Sequence, residues 1–133
     1  MLINTGDGLA VGVQAGATAN GAVIVAWHPE LGLTDQHWTV AAGSYQGTNG
    51  YLFQSGVASG TVLDLNVPAG SVDLWHSLTG TNQLWWLAAS SVPGAYYIHN
   101  SMTSNCLTDN GIGVQLTVAG CVTDDKAQIW YLP

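Results

Sequence analysis

The stretch Asn82-Gln83-Leu84-Trp85 has two echoes in the chain, Asp35-Gln36-His37-Trp38 and Ala127-Gln128-Ile129-Trp130. All three read Gln-x-Trp and recur about 45 residues apart, the mark of a unit copied in tandem. Each motif closes one block, and the blocks run over about residues 1–44, 45–90 and 91–133. Each block opens on a short apolar segment: Leu2-Ile3-Asn4, Tyr51-Leu52-Phe53 or Tyr96-Tyr97-Ile98. A second segment follows a Gly/Ser/Asn turn, at 9–13, 62–65 and 106–108, and a third lies at 23–27, 72–75 and 114–118. The segments are short, rich in Val, Leu and aromatics, and bounded by Gly, Asn, Ser and Pro, which is the signature of strands and hairpins. No window carries the i, i+3, i+4, i+7 pattern of an amphipathic helix. The expectation is an all-β domain of about twelve strands, packed as three units because one four-stranded unit cannot bury its own apolar face.

At 133 residues the chain is one domain's worth, 1–133. Only 7% of its residues are charged and 47% are apolar, the reverse of a disordered composition. A core of ordinary size is available, so folding needs no metal or disulfide framework. The net charge is −7 and Lys126 is the only basic residue. One cation cannot neutralise a run of phosphates, which excludes nucleic acid and anionic membrane surfaces as partners. A neutral or weakly polar ligand is expected. The longest apolar run, 22–27, is too short to insert in a bilayer. The N-terminus lacks the basic and apolar regions of a signal peptide. A cytoplasmic or non-classically secreted protein fits, as does a mature secreted chain.

Three units of this length, each ending in Gln-x-Trp, resemble the ricin-B-type (R-type) lectins. The resemblance covers essentially the whole chain, which is similar to fungal-type members in showing no signal sequence. It implies a β-trefoil with pseudo-threefold symmetry that binds glycans or glycoproteins and has no catalytic activity. It further implies that Cys106 and Cys121 bridge within the third unit. Read from the residues alone, the two remain either thiols or a bridge, structural in both cases.

The sequence offers no metal-ligand spacing, nucleophile elbow or phosphate loop. No enzyme, cofactor or metal is expected. The second unit carries the most suggestive polar set. Asp64 lies on its second strand, Asp73 and Trp75 on its third, and Asn82 and Gln83 at the motif. Two residues apart on a strand, Asp73 and Trp75 share a face. A pyranose presents an apolar C–H face that stacks on an aromatic ring, and hydroxyls that both donate and accept. Carboxylate and amide groups answer the hydroxyls.

In the resembled family the sugar pocket is built from an Asp on the second strand, a polar residue and an aromatic on the third, and an Asn before Gln-x-Trp. Asp64, Asp73, Trp75 and Asn82 match these positions, although the family commonly has Gln where Asp73 stands. Gln83 is expected to orient the pocket Asp, and His76 to edge the ligand.

The first unit is a weaker copy. Trp27, His28, Asp35 and Gln36 stand at the positions of Trp75, His76, Asn82 and Gln83, but Gly12 and Val25 replace the two acids. The third unit has Thr108 and Ala127 at the Asp and Asn positions and is expected to be structural. The resemblance also implies galactose or N-acetylgalactosamine as the sugar. Two readings from other classes stay open: a trefoil interaction protein, such as a protease inhibitor presenting loop 29–34 or 67–70, and a sugar-binding module of a larger enzyme or toxin. A homodimer would supply the second site that cross-linking needs.

Overall fold

In the computed structural model, which describes Met1–Pro133, every segment of the repeat becomes a strand. The first copy supplies β1 (Ile3–Asn4), β2 (Ala10–Val13), β3 (Ala22–Trp27) and β4 (Trp38–Tyr45). The second supplies β5 (Thr48–Ser55), β6 (Thr61–Asn66), β7 (Ser71–His76) and β8 (Trp85–Ala89). The third supplies β9 (Ala95–Asn100), β10 (Cys106–Thr108), β11 (Thr117–Ala119) and β12 (Ile129–Tyr131). The only helices are one-turn 3₁₀ segments.

Two layers share this β-trefoil. Around the barrel run the pairs β1–β12, β12–β9, β9–β8, β8–β5 and β5–β4, all antiparallel. Hairpins β2–β3, β6–β7 and β10–β11 cap one end. Each hairpin is tied to its own barrel strand by one register pair: Ile3↔Ala10, Gln54↔Val62 and His99↔Cys106. Between hairpins, β7 pairs both β3 and β11, and Val25 bridges to Gln115.

The β4–β5 hairpin turns at Gln46-Gly47, whose φ values are 48° and 83°. Two central residues with positive φ make the mirror-image turn whose twist matches paired strands, and Gly47 adopts it without a Cβ clash. The third segment of the third copy is shorter than the sequence suggests. Residues 114–116 lie outside β11 because the Asn110 amide binds the Gln115 carbonyl and the Thr117 hydroxyl, and so shapes a turn there.

The core is built from equivalent residues of the three copies. Leu2, Phe53 and Ile98 meet from the barrel, and Val11, Leu63 and Leu107 from the hairpins, with Trp38, Trp85 and Trp130 beside them. These side chains are buried, which removes from water the apolar surface that an isolated copy would leave exposed.

Candidate functional site

Gln-x-Trp performs two separate tasks. Each Gln ends a 3₁₀ turn, at Thr34–Gln36, Thr81–Gln83 or Lys126–Gln128. Each Trp enters the core and donates its indole N–H to a strand carbonyl: Trp38 to Val11 at 2.9 Å, Trp85 to Leu63 at 3.1 Å, Trp130 to Leu107 at 3.0 Å. The polar edge of a buried ring is satisfied there, and the hairpin is fixed over the barrel.

Each Gln latches the loop before its turn. Its Oε1 accepts the backbone N–H of Glu30, Leu78 or Val122, each at 2.8 Å. Its Nε2 donates to the carbonyl of His28, His76 or Gly120 at 2.8, 3.1 or 3.0 Å. An amide nitrogen carries two hydrogens, and the partner of the second one distinguishes the copies. Gln83 gives it to Asp64 Oδ2 at 2.8 Å, and Gln128 to Thr108 Oγ1 at 3.1 Å. Gln36 faces Gly12, where a Cβ would stand 3.1 Å from its own Cγ.

In the second copy this network sits beside an open cavity of about 430 Å³ whose lining includes Asp64, Asp73, Trp75, Leu78, Asn82 and Pro68. The register of β6 and β7 sets Asp64 directly opposite Asp73 and Val62 opposite Trp75. Asn82 Nδ2 donates to Asp64 Oδ2 at 3.1 Å and to the Leu65 carbonyl at 3.3 Å. Asp64 Oδ2 therefore receives two amide hydrogens. Asp73 is 8% exposed, and its buried Oδ1 meets no N–H or O–H donor. Burial, with the hydrogen bond and charge of Asp64, pushes the Asp73 pKa up from 3.8 to about 7. Trp75 is half-buried at the cavity wall.

Asp64, Asp73, Trp75 and Asn82 are thus brought together. Gln83 and His76 do not line the cavity. Gln83 is buried behind Asp64, and the His76 ring turns away to Asn20, Nδ1 to Nδ2 at 2.7 Å, while its backbone N–H binds Asn20 Oδ1 at 2.8 Å. That contact joins two copies across β3 and β7, which no pattern within one copy signals.

The first copy has a cavity of about 340 Å³ lined by Gly12, Val25, Trp27, Glu30, Asp35 and Gln36 among others. His28 lies outside the lining and is exposed, its carbonyl held by Gln36. The Asp35 Oδ1 is buried without a partner, and Glu30, which the repeat pattern does not single out, also reaches the cavity.

In the third copy Ala119 stands where Trp27 and Trp75 stand, opposite Cys106. Asp109 follows Thr108 and takes the place of the core aliphatics Val13 and Leu65. It is buried. Its Oδ1 accepts the Gly111 N–H at 2.8 Å, and its Oδ2 has no donor. Asp109 and Asp7 line one small cavity of about 230 Å³. Burial and the hydrogen bond with Asp7 push the Asp109 pKa up to about 6, against the opposing pull of the Gly111 N–H.

Cys106 and Cys121 are joined as a disulfide beside His99, whose ring stacks on Trp86 with centroids 3.7 Å apart. The ligand atoms of His99, Cys106 and Cys121 lie within 4.8 Å of one another. The sulfurs are spent on each other, so neither is a thiolate that could hold a metal.

Comparison with known proteins fits this geometry. The designed three-fold symmetric protein ThreeFoil superposes over 98% of this chain and 94% of its own, with a TM-score of 0.81 and 21% identity. A mosquitocidal holotoxin matches over 98% of this chain with a TM-score of 0.80 and 17% identity, and the match spans 16% of the toxin chain. The ricin B-like lectin of Macrolepiota procera, solved in complex with lactose, matches over 98% of this chain and 90% of its own, with a TM-score of 0.70 and 18% identity. No curated protein matches the chain in sequence. Residues 34–129 fit the sequence model of ricin-type β-trefoil lectin domain-like proteins, and the chain belongs to that family.

Proposed function

We propose that the protein is a lectin for galactose-type glycans, galactose or N-acetylgalactosamine, with its principal site in the second copy. The observation that carries this reading is the convergence of Asp64, Asp73, Asn82 and the Trp75 ring on one open cavity. The ring offers a stacking face for the sugar's C–H surface, and the polar tips address its hydroxyls. Asn82 and Gln83 hold Asp64 in place before a ligand arrives, which lowers the cost of binding. Galactose as the sugar is supported by the family and by the lactose-bound relative.

Binding without hydrolysis is favoured by the spacing of the acids. Asp64 and Asp73 stand directly opposite each other on adjacent strands, whereas glycosidase carboxyls flank the scissile bond roughly 5 Å or more apart. The first-copy cavity, with Trp27 and Asp35 but no acid at the Asp64 position, serves as a weaker second site. A homodimer would likewise raise valency.

The test is a glycan array probed with wild type and Asp64→Ala. Galactose- or N-acetylgalactosamine-terminated glycans should bind wild type and be lost in the variant. Identical profiles would remove the site from the second copy. A second reading, a sugar-binding module of a larger toxin or enzyme, is favoured by the holotoxin that contains the same fold in 16% of its chain. It predicts the same array result and differs only in what the domain delivers.

A further inference from the structure

We infer that the acid pair Asp64–Asp73 shares one proton, and that this proton makes glycan binding at the second-copy site strong in mild acid and weak in mild base. The inference rests on the lectin reading and adds a regulation to it.

The pair is enforced by register. Asp64 and Asp73 face each other across β6 and β7, so both side chains leave the same face and both line the cavity. Asp64 Oδ2 takes two amide hydrogens, from Asn82 and Gln83, so it is already engaged as an acceptor. Asp73 is buried, and its Oδ1 has no donor to meet. A carboxylate in that position would be an unpaired charge next to a second carboxylate. A carboxylic acid there donates to Asp64 and removes both faults. The proton of the pair therefore resides on Asp73.

No other charged group competes. The strands and turn around Asp73 bring Val23 opposite it on β3, Thr117 of β11 opposite its strand neighbour Ser71, and Asn82 and Gln83 from the 3₁₀ turn. On β7 itself, His76 is turned to Asn20. Asp64 is the one ionisable group facing Asp73, and the shift of Asp73 toward neutrality agrees with this geometry.

The consequence for a sugar follows from hydrogen-bond inventory. A hydroxyl has one hydrogen to give and two lone pairs to receive with. Entering between the two acids, it accepts the proton that Asp73 had given to Asp64 and donates its own to Asp64. Between two carboxylates it can satisfy only one, and the other stays desolvated and unpaired. Only the singly protonated pair matches a hydroxyl, so the apparent affinity follows the protonated fraction.

The experiment is calorimetric titration of lactose and of N-acetylgalactosamine into wild type, Asp73→Asn and Asp109→Asn, from about pH 5.5 to about pH 8.5. The wild-type Kd should rise about tenfold between pH 6 and pH 8. Asp73→Asn, whose amide keeps the donor at every pH, should bind with a flat profile. Asp109→Asn should keep the wild-type slope. ¹³C NMR of the aspartate carboxyls should show two raised titrations, that of Asp73 near 7, missing in Asp73→Asn and moved upward by saturating lactose, and that of Asp109 near 6, missing in Asp109→Asn and unmoved by lactose. A flat wild-type profile, a steep Asp73→Asn profile, or an Asp73 titration unmoved by lactose would overturn the shared-proton switch and leave the lectin reading standing. No binding of either sugar at any pH would overturn the lectin reading and the switch together.

Discussion

Gln83 Nε2 donates to Asp64 Oδ2 at 2.8 Å from behind the cavity, while its Oε1 holds the Leu78 N–H. One buried amide thus orients the acid and fixes the loop. Gln83→Ala should remove a hydrogen bond to a charged group and leave a loop N–H without its partner. The expected cost is about 2–3 kcal/mol of stability by urea denaturation. Lactose binding should weaken at least tenfold, although Gln83 itself does not line the cavity. Gln36→Ala, which loses only backbone partners, should cost less, about 1–2 kcal/mol, and leave the second-copy affinity unchanged.

The tryptophans should divide by burial. Trp85 is fully buried and donates to Leu63. Trp85→Ala should cost about 3–5 kcal/mol or prevent folding. Trp27 is 44% exposed. Trp27→Ala should cost about 1 kcal/mol or less, because little of its surface is removed from water. Thermal and urea melts of the two variants check the contrast.

The disulfide Cys106–Cys121 spans a sequence separation of 15 in the third copy, and neither cysteine lines the Asp64 cavity. Cys121→Ser, or a reducing agent, should lower stability by about 3 kcal/mol through the regained freedom of the unfolded chain. Lactose affinity should not change. A loss of sugar binding on reduction would mean that the third copy contributes to the site.

Asp109 should make the fold prefer acid. Its folded pKa is raised from 3.8 to about 6, so the folded state holds this proton more tightly than the unfolded chain does. The contribution is fully present below about pH 4 and is lost as pH rises through about 6. Asp109→Asn keeps the neutral form at all pH. Its melting temperature should fall less than that of wild type between pH 4 and pH 7, as followed by circular dichroism.

The repeat was legible because its anchors are forced. A core shared by three copies needs the same large ring and the same loop latch in each, so Trp38, Trp85 and Trp130 and their glutamines recur at even spacing. The grouping of Asp64 with Asp73 was legible through the family resemblance, whereas their direct apposition across β6 and β7 shows only in the register. Contacts between copies were not. His76 is drawn off the cavity by Asn20 of the first copy, and Asp109 is answered by Asp7 from the opposite end of the chain. Each joins residues whose separation has no period. Asp109 reads as facing away from a sugar, and it does lie outside the Asp64-type position, but its burial at a site held by Val13 and Leu65 in the other copies shows only in three dimensions. The turn at Gln46-Gly47 was half legible: Gly47 signals it, whereas Gln46 carries positive φ without any compositional cue.

Because the glutamine latch closes whether its spare hydrogen meets Asp64, Thr108 or no side chain at all, each copy can change its ligand chemistry without loosening the scaffold. Valency in this fold is therefore a separately adjustable quantity. The three copies also differ in how readily they could regain it. Thr108 already rests on Gln128, so an acid introduced there meets a waiting donor. At Gly12 the Gln36 side chain crowds the space an acid would need. A designer seeking a second strong site would have less steric ground to recover in the third copy than in the first, and would still need an aromatic at Ala119.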